Sequence, residues 1–274
     1  MKTSVLVSVR NGAAIMMASV IFVLFVSSTT QSDQASQIST REHNVMSVLW
    51  FQTAGEARAL QYQAFNIARL MLEKDLAEMT HEKKRAVIVD IDETVLDNSP
   101  YEGRAIRINK GYPHDWDKWM NAAQAEPLPG AVDFLKYAVS KGVDVFYVTN
   151  RRAQYKDATL NNLKNKGFPQ AEESHLFLRT DEGSKEKRRE TISATHDIVL
   201  LMGDNLGDFA AVFDDKSVAD RNAAVDRMKN EFGKRFIVLP NPAYGDWENA
   251  VYGYQLSSSD SIKNLKRKAA LKGF

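Results

Sequence analysis

With 274 residues, 44% hydrophobic and 26% charged, the chain is large enough to bury a substantial core and has the composition of a globular protein. Basic residues number 36 against 35 acidic, so the net charge of +1 excludes the broad basic field that holds nucleic-acid polymers. There is no cysteine, which excludes disulfides, thiol nucleophiles, thiolate metal sites and a lipid-bearing cysteine; any metal must take oxygen or imidazole ligands.

Residues 1–28 read as a signal peptide rather than as part of a fold. Lys2 and Arg10 form a positive n-region, 13–26 are an apolar h-region, and Ser27, Ser28 and Thr29 are small enough for cleavage. The run is short for a full membrane span, so export with cleavage is favoured over a retained anchor, which would associate the protein with a membrane. Residues 29–44, rich in Ser, Thr and Gln, read as a flexible tether. From 45 to 79, Leu49, Ala57, Leu60, Ala64, Ile67, Ala68, Met71 and Leu72 recur at spacings of three and four, predicting two helices, or one interrupted at Gly55, over the core.

A buried parallel strand follows in Ala86-Val87-Ile88-Val89, and it delivers Asp90, Asp92, Glu93 and Thr94 at its carboxyl end. Residues 97–129 carry turn signals around short amphipathic pieces and read as a cap-like insertion. Strand–helix alternation resumes after Gly130. Strands are predicted at 143–148, 176–178, 198–202 and 236–239, and helices over 132–139, 153–166, from about 184, 207–213 and 218–230. That rhythm predicts an α/β fold, a doubly wound parallel sheet with a small, mostly helical cap. The folded core is predicted over 45–260, with a basic tail, a surface helix or frayed end, at 261–274.

Three further strand ends or helix starts carry reactive groups: Thr149-Asn150-Arg151, Ser184-Lys185 through Arg189, and Gly203-Asp204-Asn205-Leu206-Gly207-Asp208. In a parallel sheet the carboxyl ends of strands share one edge, so acids, hydroxyl and lysine can converge on a phosphate and a divalent cation. Taken singly, each has a plainer reading as a helix cap, a solvated face or a tight turn. Four chance events in order on four strand ends is the less economical explanation.

The order resembles the haloacid dehalogenase-like superfamily. Ile88 to Leu96 with Asn98 and Tyr101, and Gly203-Asp204-Asn205-Leu206 with Asp208-Phe209, resemble the two signatures of the class C bacterial acid phosphatases, which include lipoprotein-type 5′-nucleotidases. The resemblance implies a phosphomonoesterase with Asp90 as nucleophile and Asp92 as general acid and then base. It implies Mg²⁺ at Asp90, Asp204, the backbone carbonyl of Asp92 and, through water or orientation, Asp208. Thr149 and Asn150 would take phosphate oxygens, and Lys185, rather than its rival Lys187, would neutralise the phosphoryl group. A protonated Asp92 at the start implies a rate that falls above the acidic range. The one departure is the missing lipid-bearing cysteine, which removes lipid anchoring and leaves a periplasmic or envelope location.

Trp116 and Tyr244 resemble in position the nucleotide clamp of the nucleotidase members, with Trp247 a weaker third; the alternative for Trp116 and Trp119 is anchorage of the insertion on the core. The five histidines show no metal-ligand spacing. The expected partner is a small phosphomonoester, a nucleotide foremost, and relatives of this type imply a homodimer. Two other readings stay open: phosphotransfer to alcohol acceptors, and a silent binding or storage protein, which some plant relatives are.

Overall fold

A computed structural model describes residues 39–274; the expected leader at 1–28 and most of the 29–44 tether lie outside them. Seven strands occur among the described residues: β1 (Lys84–Val89), β2 (Leu96–Asp97), β3 (Glu126–Pro127), β4 (Asp144–Arg152), β5 (Leu176–Arg179), β6 (His196–Gly203) and β7 (Phe236–Val238). The helices are α1 (Thr40–His43), α2 (Val45–Thr53), α3 (Gly55–Glu78), α4 (Ser99–Arg107), α5 (Trp116–Ala122), α6 (Ala131–Ser140), α7 (Lys156–Asn165), α8 (Glu186–Ser193), α9 (Val218–Arg227), α10 (Asp246–Val251) and α11 (Asp260–Ala270).

Five strands form one parallel sheet in the order β5-β4-β1-β6-β7. Both faces of its central strand are covered, which is why β1 reads as an unbroken apolar run rather than an alternating one. Val87 and Val89 enter a core with Phe65 and Leu72 of α3 and Leu135 of α6; Ala86 and Ile88 enter a second with Ile192 of α8, Ala224 of α9 and the rings of Phe209 and Phe213. Register then sets the site. Val89 lies level with Tyr147 of β4 on one side and Met202 of β6 on the other. The residues just beyond those three, Asp90, Thr149-Asn150 and Asp204, are thereby delivered to the same edge, where the crossovers diverge from β1 to either side. The insertion hangs from the short antiparallel β2–β3 pair and consists of α4 and α5.

Three sequence expectations need correction. Residues 39–44 are not a tether: Ser39 caps α1 by accepting the Arg41 N–H, Thr40 and Asn44 are buried, and Asp260 accepts both the N–H (3.1 Å) and the hydroxyl (3.0 Å) of Thr40. A partner that distant in the chain leaves no local signal. For the same reason the boundary between 260 and 261 is misplaced, because α11 starts at Asp260 and returns through Arg267, which donates to the Thr40 carbonyl (3.1 Å) and pairs with Glu248. Finally, 207–213 is not a helix but two 3₁₀ turns, Leu206–Asp208 and Ala211–Phe213. Asn205 and Asp208 bond reciprocally with the backbone of the first turn, the local competition by which Asn and Asp displace regular helix.

Candidate active site

Asp90 directly follows β1, its N–H donating to the Met202 carbonyl of β6 (2.9 Å). Asp204 directly follows β6, where its carboxylate accepts from Asn241 Nδ2 (2.8 Å) and Thr94 Oγ1 (3.3 Å). Asp208 sits one 3₁₀ turn later and is held by the Asn205 N–H (2.9 Å). Its close packing dictates Gly203: a Cβ there would stand 2.2 Å from Asp208 Oδ2, so no side chain fits. Lys185, at the cap of α8, is buried and joins the group, bonding Asp90 and lying 2.6 Å from Asp208 Oδ1. The rival Lys187 is exposed and pairs with Glu182 at 2.8 Å, outside the site.

Oxygens of Asp90, Asp204 and Asp208 lie within 4.8 Å of one another. Three carboxylates against one ammonium leave a formal excess of two negative charges in a buried place. Burial first, then Asp208 and Asp92, overcomes the opposing pull of Lys185 and raises the Asp90 carboxyl to about 7. Asp204 is held well above its ordinary value by burial, Asp208 and Asp90. Burial opposes the charge on Lys185, but Asp208 and Asp90 outweigh it and raise its pKa. An all-oxygen donor set with this charge excess fits a hard divalent cation.

Asp92 is separate from that cluster. Its Oδ1 accepts from Asn98 Nδ2 (2.6 Å) and from Arg151 Nη2 (2.7 Å) and Nε (3.0 Å), while Oδ2 has only a 3.2 Å contact. Its carboxylate is committed to Asn98 and Arg151 rather than to the three-acid cluster, leaving its backbone carbonyl as the oxygen the resemblance assigns to the cation. Asn98 in turn accepts from Trp119 Nε1 (2.7 Å), so Trp119 anchors the insertion and steadies the Asp92 clamp. Arg151 and Asn98 carry no sequence signal for these roles, whereas anchorage of the insertion is the reading the sequence offers as the alternative for Trp119.

Asn150 lines the cavity, and its Oδ1 accepts from Arg188 Nη2 (2.7 Å), so the amide nitrogen is the group left to donate. Thr149 is fully buried, with Oγ1 accepting the Arg151 N–H (3.1 Å); it does not line the cavity, so its expected phosphate contact is less direct than that of Asn150. Glu93 has an unexpected part. It is buried at a positive φ of 57°, accepts the Asn98 N–H (2.7 Å), and bonds the Tyr244 hydroxyl. Burial, then Asp92 and Asp204, hold its carboxyl well above the ordinary range. The segment Asp92–Asn98 and the late loop bearing Tyr244 are thus tied together at one buried acid.

Asp90, Asp92, Asp204, Asp208, Lys185 and Asn150 line a cavity of about 510 Å³. One wall is aromatic: Trp116 meets Tyr101 edge-on at 4.9 Å and Tyr112 at 5.7 Å, with Tyr244 also lining the space. Trp247 does not line it; its ring is exposed and Nε1 donates to the Tyr244 carbonyl (3.2 Å). None of the five histidines belongs to the site, and among the described residues no helix is long and apolar enough to cross a membrane.

Comparison with known proteins agrees with this geometry. The model of the HAD superfamily, subfamily IIIB (acid phosphatase), matches residues 16–247. The class C acid phosphatase from Bacillus anthracis is 52% identical, with a TM-score of 0.83 over 85% of this chain and 98% of that one. Its structure with tungstate bound gives 0.84, at 52% identity, over 86% and 100%. Acid phosphatase 1 of Solanum lycopersicum is 25% identical over 164 residues, and the chain spans only 57% of that relative's length. Fold, site and relatives define a phosphomonoester hydrolase. The chain belongs to the acid phosphatases of HAD subfamily IIIB.

Proposed function

We propose that the protein is an exported, Mg²⁺-dependent acid phosphatase that hydrolyses small phosphomonoesters, nucleoside 5′-monophosphates among them, through a phosphoryl-aspartate at Asp90. One observation carries the reading: a buried nucleophile-grade carboxylate at the end of β1 is bridged by Lys185 to Asp208 and faced by Asp204, with a second, separately clamped carboxyl at Asp92. The tungstate in the B. anthracis relative supports it, tungstate being a tetrahedral oxyanion like phosphate. The leader-like first 28 residues support export.

An Asp90 oxygen attacks phosphorus while the ester P–O bond breaks, and the leaving alkoxide takes the proton of Asp92. Asp92 then accepts a proton from the water that attacks phosphorus; the Asp90–phosphorus bond breaks and orthophosphate leaves. Arg151 and Asn98 hold Asp92 in place for both transfers. Lys185 and the Asn150 amide meet the phosphoryl oxygens, where fixed donors are worth most in a water-poor site. Asp90, Asp204, Asp208 and the Asp92 carbonyl would hold Mg²⁺, which supplies further neutralisation of phosphoryl charge. The aromatic wall of Trp116, Tyr112, Tyr101 and Tyr244 gives a nucleobase faces to stack on, whatever the base.

The test is phosphate release from a nucleoside 5′-monophosphate at mildly acidic pH by wild type and Asp90→Asn, with and without chelator. Replacing Asp90 removes a carboxylate that the fold penalises, so the variant should fold as well as wild type. Activity lost in the variant and with chelator is the expected result; a variant that keeps wild-type turnover overturns the nucleophile assignment.

A further inference from the structure

The catalytic cavity holds three arginines that the mechanism does not use, of which Arg41 is paired with Glu102 (3.8 Å), leaving Arg152 and Arg179. Arg152 of β4 and Arg179 of β5 are register partners on adjacent strands, and both line the cavity. Among the described residues, neither guanidinium has a hydrogen bond or an ion pair. Their neighbours differ: Arg151 is spent on Asp92 and Thr159, Arg188 on Asn150 and the Thr149 carbonyl, and Arg189 on Glu186 and the backbone of Gly207 and Asp208. Like charges facing each other across two strands repel. Guarding a sheet edge with a cation would account for Arg179 on the outer strand β5, but β4 lies between β5 and β1, so edge protection does not account for Arg152.

Position ties the pair to the reacting end. Arg152 lies two residues after Asn150 on β4. The Arg179 guanidinium comes within 3.9 Å of the place a Cβ on Gly183 would occupy, on the loop that carries Lys185. Arg188, which bonds Asn150, has its pKa lowered by burial and, among nearby charges, by Arg189 and Arg179. Two unspent planar forks opening on one cavity match the oxygens of a doubly charged phosphate better than any neutral group.

We infer that Arg152 and Arg179 form a second anion site that selects phosphomonoesters carrying another phosphate group. The inference rests on the phosphatase reading and specifies its substrate class: nucleoside or sugar bisphosphates in preference to their monophosphate counterparts.

The experiment compares kcat/KM within two matched pairs, adenosine 5′-monophosphate with adenosine 3′,5′-bisphosphate and fructose 6-phosphate with fructose 1,6-bisphosphate. It uses wild type, the double variant Arg152→Gln/Arg179→Gln, and the double lysine variant. Wild type is expected to favour the bisphosphate in at least one pair by about tenfold, less so at high salt. The glutamine variant should lose most of that ratio and the lysine variant should keep part of it. Because the pair has no protein partners to lose, the glutamine variant should melt at or above the wild-type temperature. No bisphosphate preference in either pair, or a preference that survives in the glutamine variant, overturns the anion site. Absence of turnover on all four substrates, or turnover insensitive to Asp90→Asn, instead strikes the phosphatase reading beneath it.

Discussion

Arg151 engages Asp92 through two nitrogens and is itself buried, held on its far side by Thr159 (3.2 Å). Such a fork fixes both the position and the plane of a carboxylate, which a single ammonium cannot. Arg151→Lys is therefore expected to lower kcat on the order of 10²-fold with little change in KM, the cost of misplacing a proton-transfer group. Steady-state kinetics at saturating substrate check it; a normal kcat would show that Asp92 does not depend on the fork. At this scale the carboxylates and Lys185 were legible in the sequence, because a strand end and a short signature place each one. The groups that hold them were not. Trp119, Asn241 and Glu93 act across gaps that only the folded chain closes.

At the scale of elements, the amino-terminal edge of the sheet is stapled by one carboxylate. Asp144, the first residue of β4, takes Lys84 Nζ of β1 (2.7 Å), Gln170 Nε2 (2.8 Å) and His196 Nε2 of β6 (3.0 Å). Burial opposes its ionisation, yet those bonds outweigh it and hold its carboxyl down to about 2. A lowered folded pKa means that the staple contributes fully above the unfolded value of about 3.9 and is lost as pH falls toward the folded one, a term of up to roughly 2 kcal/mol. Asp144→Asn should accordingly lower the melting temperature at neutral pH and flatten its decline between about pH 4 and pH 2. Melting curves over that range decide it, and parallel curves for variant and wild type would contradict the assignment. The parallel strands were readable because both faces of the sheet are buried, so β1, β4 and β6 present continuous apolar runs. α1 was misread because its stability comes from α11, the surface helix the sequence allowed: Thr40 and Arg267 meet Asp260 and Thr40 across almost the whole described chain.

The molecule as a whole stores unfavourable charge where it does its chemistry. Asp90, Asp204 and Glu93 all carry raised pKa values. A raised carboxyl binds its proton more tightly in the folded state, so ionising these groups costs stability as pH climbs from the unfolded value of about 4 through about 7. Without a divalent cation the melting temperature should drop over that range. Mg²⁺ at a hundredfold excess over Kd should add about 2.7 kcal/mol of stability and so raise the melting temperature again. Calcium or magnesium without effect on melting at pH 7 would contradict a cation site at Asp90, Asp204 and Asp208.

The covalent step at Asp90 is the centre of the mechanism, and acid-quenching the enzyme during turnover of a nucleoside 5′-monophosphate tests it most directly. Peptide mass spectrometry of the quenched protein should find a phosphoryl group on Asp90, absent from Asp90→Asn. A phosphoryl group on any other residue, in an enzyme whose Asp90→Asn form still turns over, would contradict it.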